Sequence, residues 1–312
     1  MTALVDIANG RGLVAYVEKH LNRYASNLGK ALEQGEAESV HDVRVASRRL
    51  TEPMRLIGGW VGRQETRKAI RRLRRVRRTL RKTRELDVLQ ASVAQSARDL
   101  AGLDASGLAQ LEGILTQQRE RSLTQARRRC AGSSGKGVEA LVRQLVADFE
   151  QRVDRDTELL VAQEVERLFE RWARRLLELD PRSSETDLHE TRLCAKRLRY
   201  SAELMRDVGN RDNAALFQTL VEIQDVLGSW SDRLAAARCI SAIARRRRVL
   251  AMQSAWAEAL LRYSARMAQA ATDDRSRIVE KWPQVHAAVL SALSDRCAAP
   301  SAGPGKRANE PV

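Results

Sequence analysis

The sequence predicts an all-α protein, on three observations. Apolar residues recur at three- and four-residue spacing through most of the chain, the period of an amphipathic helix. No sustained Val, Ile, Thr or Tyr alternation bounded by hairpin turns is present, and only 6 prolines interrupt 312 residues. A pattern His-x-x-Arg-x-x-x-basic-Arg-Leu occurs twice on such stretches, from His41 to Leu50 and from His189 to Leu198.

In chain order, Leu13, Val17, Leu21, Tyr24, Leu28 and Leu32 place an amphipathic helix over 11–34, with Gly35 as its stop. The first motif helix is expected over about 40–58, capped by Ser39 and ended by Gly58 and Gly59. Pro53 removes a backbone donor inside it and predicts a kink or an early end. Helices over 63–84 and 86–101 follow, then one over 106–130 after breaks at Gly102 and Gly107. The stretch Ala131-Gly-Ser-Ser-Gly-Lys-Gly137 reads as a flexible linker, because the phosphate-loop spacing Gly-x-x-x-x-Gly-Lys-Ser/Thr is absent. A long amphipathic segment spans 138–179, and Asp180-Pro181 breaks it. The second motif helix covers about 186–207, with Ser184 or Asp187 as cap and Gly209-Asn210 as stop. Helices over 212–227, 232–247, 249–271 and 275–296 complete the chain, and 298–312 reads as a disordered tail. His41 and His189 lie 148 positions apart, too far for a solenoid unit. The spacing suggests two helical-bundle halves, 10–130 and 138–297, packed as a pseudo-symmetric pair.

The net charge is +15, with 55 Lys and Arg against 40 Asp and Glu, and a pI of about 10.4. Such a field implies an anionic partner: nucleic acid, an anionic membrane or another polyphosphorylated molecule. Arginine greatly outnumbers lysine, and its planar guanidinium makes two-pronged contacts with phosphate oxygens. Cys130, Cys194, Cys239 and Cys297 are scattered, so neither a zinc set nor a disulfide framework is indicated. The chain opens without a signal peptide and has no stretch apolar enough to span a bilayer, which makes a reducing cytoplasm the expected location.

At about 100° per residue, His41, Arg44, Arg48 and Arg55 fall within an arc of about 60°. Val43, Ala46, Leu50, Met54 and Ile57 fall opposite. In the second copy His189, Arg192, Lys196 and Arg199 share one face and Cys194, Ala195, Leu198, Ala202 and Met205 the other. The helix over 63–84 repeats the design, with Arg71, Arg74, Arg75, Arg78 and Lys82 opposed to Ile70, Leu73, Val76 and Leu80. Like charges at neighbouring helical positions repel, so these stripes ask for an anion. The bland alternative is internal pairing with Asp42, Glu52, Glu190 or Glu203, of which only Glu203 lies near the basic arc. The block Arg245 to Arg248 runs all round a helix and reads as a solvated end. Asp87 and Asp232 come nearest to catalytic carboxylates, but a helix cap or helix-dipole partner suffices for each. His20 and His286 read as incidental. No nucleophile–base set and no metal-ligand spacing is evident.

The segments from His41 to Leu50 and from His189 to Tyr200, each followed about forty residues later by a Leu-Gly-like turn and an acid, resemble the two halves of the CHAD family, the conserved histidine α-helical domain. The second copy carries the fuller match, with Leu227-Gly228 and Asp232 behind it. The first departs from the pattern at Arg81, Glu85, Thr51 and Pro53. The resemblance covers 10–297 and implies an all-α fold of two four-helix-bundle-like halves with pseudo-twofold symmetry. It also implies non-enzymatic binding of inorganic polyphosphate, localisation at polyphosphate granules, and no cofactor or membrane partner. The contact set then comprises His41, Arg44, Arg48, Arg49, Arg55, Arg71, Arg74, Arg75, Arg78 and Lys82, with His189, Arg192, Lys196, Arg197, Arg199 and Tyr200 from the second copy. Nucleic acid is the competing partner, and a phosphotransfer or polyphosphate-processing enzyme using His41 or His189 is the third, less favoured reading. Aromatics make up only 4% of the chain and form no evident base-stacking platform.

Overall fold

The computed structural model describes residues 9–95, 105–131, 136–209, 213–246 and 254–297. Every regular element among them is helical. Helix α1 (Asn9–Gly29) runs into a π-helical turn (Lys30–Gln34) that ends at Gly35, whose φ of 70° is left-handed. Then come α2 (Ala37–Arg49), α3 (Thr51–Val61), α4 (Arg63–Thr79), α5 (Arg81–Gln95) and α6 (Ala105–Ala131). The chain continues through α7 (Lys136–Glu150), α8 (Arg155–Leu177), α9 (Glu185–Gly209), α10 (Ala214–Ala244) and α11 (Ser254–Cys297).

Several boundaries differ from those the sequence predicts. The first motif helix starts two residues before Ser39, which instead bonds the Glu36 carboxylate at 2.5 Å. It breaks at Leu50 and resumes as α3, so Pro53 occupies the third position of a new helix, where its missing N–H costs nothing. Gly58 and Gly59 do not end that helix. Gly58 lets Thr66 pack directly on α3, since a Cβ there would lie 2.5 Å from Thr66 Oγ1. The 138–179 segment splits at 151–154, where Asp154 caps α8 by accepting the Thr157 N–H at 2.7 Å. Ser184 is the cap of α9: it accepts the Asp187 N–H at 3.0 Å and donates to the Asp187 carboxylate at 2.7 Å. Helix α10 passes unbroken through Leu227-Gly228 to Asp232, and α11 is a single helix with Pro283 inside it. Gly102, Asn210, Arg247, Arg248, the heart of the 131–137 linker and the 298–312 tail lie outside the described residues.

The core explains why these helices converge. Leu13, Val17, Leu21 and Tyr24 of α1 are fully buried, and α1 packs against α2 as well as α7, α8 and α9. Both motif helices bury the apolar stripes the sequence assigns: Val43, Ala46, Leu50, Met54 and Ile57 in one, Cys194, Ala195, Leu198, Ala202 and Met205 in the other. Burial of each Val, Leu, Ile or Met side chain among them contributes about 1.5–3 kcal/mol. A second, smaller cluster joins the outer ends of α5–α6 and α10–α11 through Leu86, Leu89, Leu115, Ile240, Leu260 and Tyr263. With their apolar stripes fixed inward, the motif helices must turn their cationic faces outward.

Candidate functional site

Those faces meet. A single cleft of about 810 Å³ is lined by α2, the end of α4 and α5 from the first copy, and by α9 and α10 from the second. That is the upper part of the range for ligand pockets. His41, Arg44, Arg48, Arg78, Lys82, His189, Arg192 and Lys196 of the sequence-predicted set line it. Arg77, Arg81, Arg84, Arg233 and Arg238 line it too and were not in that set. Eleven arginines and lysines therefore stand against three carboxylates, Glu85, Glu185 and Asp232.

The three carboxylates are already engaged. Glu85 accepts from Arg81 at 2.7 Å, Glu185 from Arg238 at 2.6 Å, and Asp232 lies 4.0 Å from Arg192. Arg233 pairs away from the cleft with the buried Asp274 of α11, at 2.7 Å. Among the described residues, Arg44, Arg48, Arg77, Arg78, Lys82, Arg84 and Lys196 have no carboxylate within 4.0 Å. Internal pairing does occur, but elsewhere: Asp42 takes Arg23, Glu52 takes Arg55, Glu190 takes Arg175 and Glu203 takes Arg49.

Local backbone breaks hold the central arginines in place. At Leu50 the helical ladder runs from Leu50 N–H to Ala46 C=O and from Met54 N–H to Leu50 C=O, leaving the Ser47 carbonyl open. Thr51 Oγ1 donates to it at 2.9 Å and Arg77 Nη1 at 3.4 Å. At Leu80 the ladder likewise leaves the Arg77 carbonyl open, and Arg44 Nη1 donates to it at 2.5 Å. Each break orients the other segment's arginine through a neutral oxygen. The guanidinium is fixed and its charge is left available.

The charge is costly there. Burial, with the nearby charges of Arg48 and Arg77, pushes Arg44 down to about 9; burial, with Arg48 and Arg74, brings Arg77 to about 10. Both stay cationic at neutral pH. Lys196 is lowered to about 7 by burial, with Arg192 and Arg48 adding to the effect. His41 and His189 lie below the ordinary histidine value, first through desolvation and then through Arg84 for His41 and Arg192 for His189. The free cleft thus keeps both imidazoles neutral at pH 7, each with one N–H to donate. Asp232 is raised by burial, partly offset by Arg192 and Lys196. It sits within α10, and Asp87 within α5, so neither caps a helix as the sequence suggested. Asp87 is instead buried against Arg119 at 2.5 Å.

The remaining predicted contacts are not brought into the cleft. Arg49 spans α2 and α9 to reach Glu203 at 2.7 Å, and its guanidinium lies 5.5 Å from the Tyr200 ring. Arg199 lies 5.4 Å from that same ring, so Tyr200 is taken up in packing. Arg197 stacks on Trp172 at 4.5 Å. Arg55 pairs with Glu52, Arg74 stands beside Arg55 and Arg197, and the exposed Arg71 and Arg75 leave α4 outside the cleft lining. A helical wheel sorts residues into inside and outside but does not say which outward residues face a second element. Arg77 fell between the two stripes assigned to its helix, and Arg233 and Arg238 required the unbroken α10. His20 is buried edge-on against Tyr16, and His286 Nε2 lies 3.3 Å from the Leu177 carbonyl. Among the described residues no group of His, Cys, Asp and Glu is placed to hold a metal, and no helix is long and apolar enough to cross a membrane.

Fold and cleft together define a class, an all-helical protein that brings a duplicated cationic motif into one cationic cleft. The sequence profile of the CHAD domain matches residues 15–241, and the chain belongs to that family. Among solved structures, the CHAD domain from the plant Ricinus communis has a TM-score of 0.67 at 18% identity, covering 93% of this chain and 94% of that one. PptA from Streptomyces chartreusis has a TM-score of 0.63 at 17% identity, covering 88% of this chain and 99% of its own. Both likenesses concern the fold. No curated protein matches the chain by sequence.

Proposed function

We propose that the protein is a non-enzymatic binder of inorganic polyphosphate, held in the cleft between the two copies of the motif. One observation carries this reading: seven cations from α2, α4, α5 and α9 converge with no carboxylate partner among the described residues, and two of the cleft arginines, Arg44 and Arg77, are fixed by backbone carbonyls. A charge array of that kind, with Arg44, Arg77 and Lys196 partly desolvated, is stabilised by a dense anion rather than by a single phosphate. The resemblance stated above for the family points the same way. Each cleft carboxylate has an arginine within 4.0 Å, which supports a binding role for the cleft. The pseudo-symmetric arrangement of two bundle halves belongs to the same proposal, since each copy supplies one side of the cleft. So does association with polyphosphate granules in the cytoplasm.

Nucleic acid is the weaker reading. Trp230, the aromatic residue of the cleft lining, is 5% exposed, and Tyr200 is sandwiched by arginines. Neither offers a face for base stacking. The deciding experiment titrates the protein with polyphosphate, single-stranded RNA and duplex DNA at equal phosphate concentration. Polyphosphate should outcompete both at physiological ionic strength, with affinity falling steeply as salt rises. Equal competition by either nucleic acid refutes the reading. Phosphate release from bound polyphosphate would refute the non-enzymatic part.

A further inference from the structure

Four arginines that the cleft leaves unexplained, Arg55, Arg74, Arg171 and Arg197, form a second cationic feature that begins at its edge. Arg77, in the cleft, is close enough to Arg74 and Arg197 for both to lower its pKa. Arg74 in turn feels Arg55 and Arg197. Arg197 lies 4.5 Å from the Trp172 ring and Arg171 lies 5.4 Å from the same ring, so the indole carries a guanidinium at each of two positions. Arg55, Arg171 and Arg197 are exposed, whereas Arg74 is half-buried. Glu52, set among them, accepts from Arg55 at 2.5 Å and lies 3.9 Å from Arg171.

Stacking on Trp172 orders two long side chains that would otherwise sample many rotamers, lowering the entropic cost of a phosphate contact. It leaves the edge donors of each guanidinium free. The residues come from α3, α4, α8 and α9, and α8 and α9 pack closely. A rigid cationic strip continuous with an anion cleft suits a ligand whose negative charge repeats along its length.

We propose that this strip is an exit track for polyphosphate, a second subsite from Arg77 through Arg74 and Arg197 to Arg171 that engages only chains long enough to leave the cleft. The proposal rests on the cleft reading and assigns it a ligand class, long-chain polyphosphate in preference to short oligophosphates. A chain filling the cleft gains the cleft contacts whatever its length. Each further unit beyond Arg77 meets another guanidinium instead of water.

The test compares tripolyphosphate with a long polyphosphate of several hundred units, by titration over a range of salt concentrations. In Arg74→Ala/Arg171→Ala/Arg197→Ala, tripolyphosphate affinity should stay within about threefold of wild type. Long-chain affinity should fall on the order of tenfold, and its salt slope should flatten by about two. A control removing the same charge elsewhere, Arg143→Ala/Arg167→Ala/Arg262→Ala, should retain the long-chain preference. Glu52→Gln works in the opposite direction and does not depend on the triple variant folding: it should strengthen long-chain binding several-fold and leave tripolyphosphate unchanged. Equal losses for both ligands, equal losses in the control, or no response to Glu52→Gln overturns the track while leaving the cleft in place. Failure of tripolyphosphate to bind the wild-type protein overturns the cleft and the track together.

Discussion

Under the proposed function, Lys196 makes polyphosphate binding a proton-uptake reaction near neutral pH. In the free protein its pKa is about 7 against an ordinary 10.5, because burial and the guanidiniums of Arg192 and Arg48 disfavour its charge, with Asp232 alone pulling the other way. A polyanion in the cleft supplies the missing counter-charge and drives the pKa back toward 10.5. Full restoration sets the ceiling: affinity then weakens by about one decade per pH unit above 7, or about a hundredfold between pH 6 and pH 9. That is about 2.7 kcal/mol at 1.36 kcal/mol per unit. Long chains are the right ligand, because their interior phosphates stay ionised throughout this range. Calorimetry in two buffers of different ionisation enthalpy should show about half a proton taken up per cleft at pH 7 and close to one at pH 8. Lys196→Arg should abolish that uptake and hold affinity nearly level to pH 9. Stability of the free protein runs the other way. Between pH 7 and 10.5 the unfolded chain holds this proton and the native state does not, so the lysine's contribution rises with pH while affinity falls. A wild-type uptake near zero at pH 8, or an unchanged uptake in Lys196→Arg, refutes the reasoning.

Other perturbations have separate signatures. Arg44→Ala with Arg192→Ala should weaken polyphosphate binding by about 30- to 900-fold, at about 1–2 kcal/mol for each of two lost charge-assisted bonds, while circular dichroism stays helical. A collapse of helicity would assign both arginines to the scaffold. Asp87→Ala strands the Arg119 guanidinium, which also donates to the Gly35 carbonyl at 2.5 Å. Denaturant unfolding should show a loss of about 3–5 kcal/mol with binding of the folded fraction intact. Gly35→Ala forces a left-handed residue to carry a Cβ that runs into Leu123, and the same assay should report a loss of about 1–3 kcal/mol.

The sequence carried the fold class and the inward faces clearly, because both depend on a period that survives any tertiary arrangement. Each apolar residue assigned to the motif stripes is buried. Breaks were harder to read. Gly228 looked like a turn, yet in α10 its missing side chain leaves open space and the helix simply continues. Nothing at 151–153 announced the end of α7, although Asp154 was a readable cap for α8. Pro53 correctly marked a discontinuity. Its consequence, the open Ser47 carbonyl that takes Arg77, depends on a helix approaching from elsewhere in the chain. For the same reason Arg77 was missed and Arg49 overread: one turns toward a distant wall and the other toward a distant acid.

The placement of α2 on one side of the cleft and α9 on the other bears on how such a protein could arise. One copy of the motif, standing alone, is a convex strip of arginines open to solvent, where screening leaves each contact weak. Enclosure needs a second copy facing it. On the proposed function, a protein with a single copy would have to self-associate to enclose an anion, its occupancy then depending on its own concentration. Joining the copies in one polypeptide removes that dependence, and frees each strip to diverge from the other, as Pro53 and Ser201 at matching positions now show.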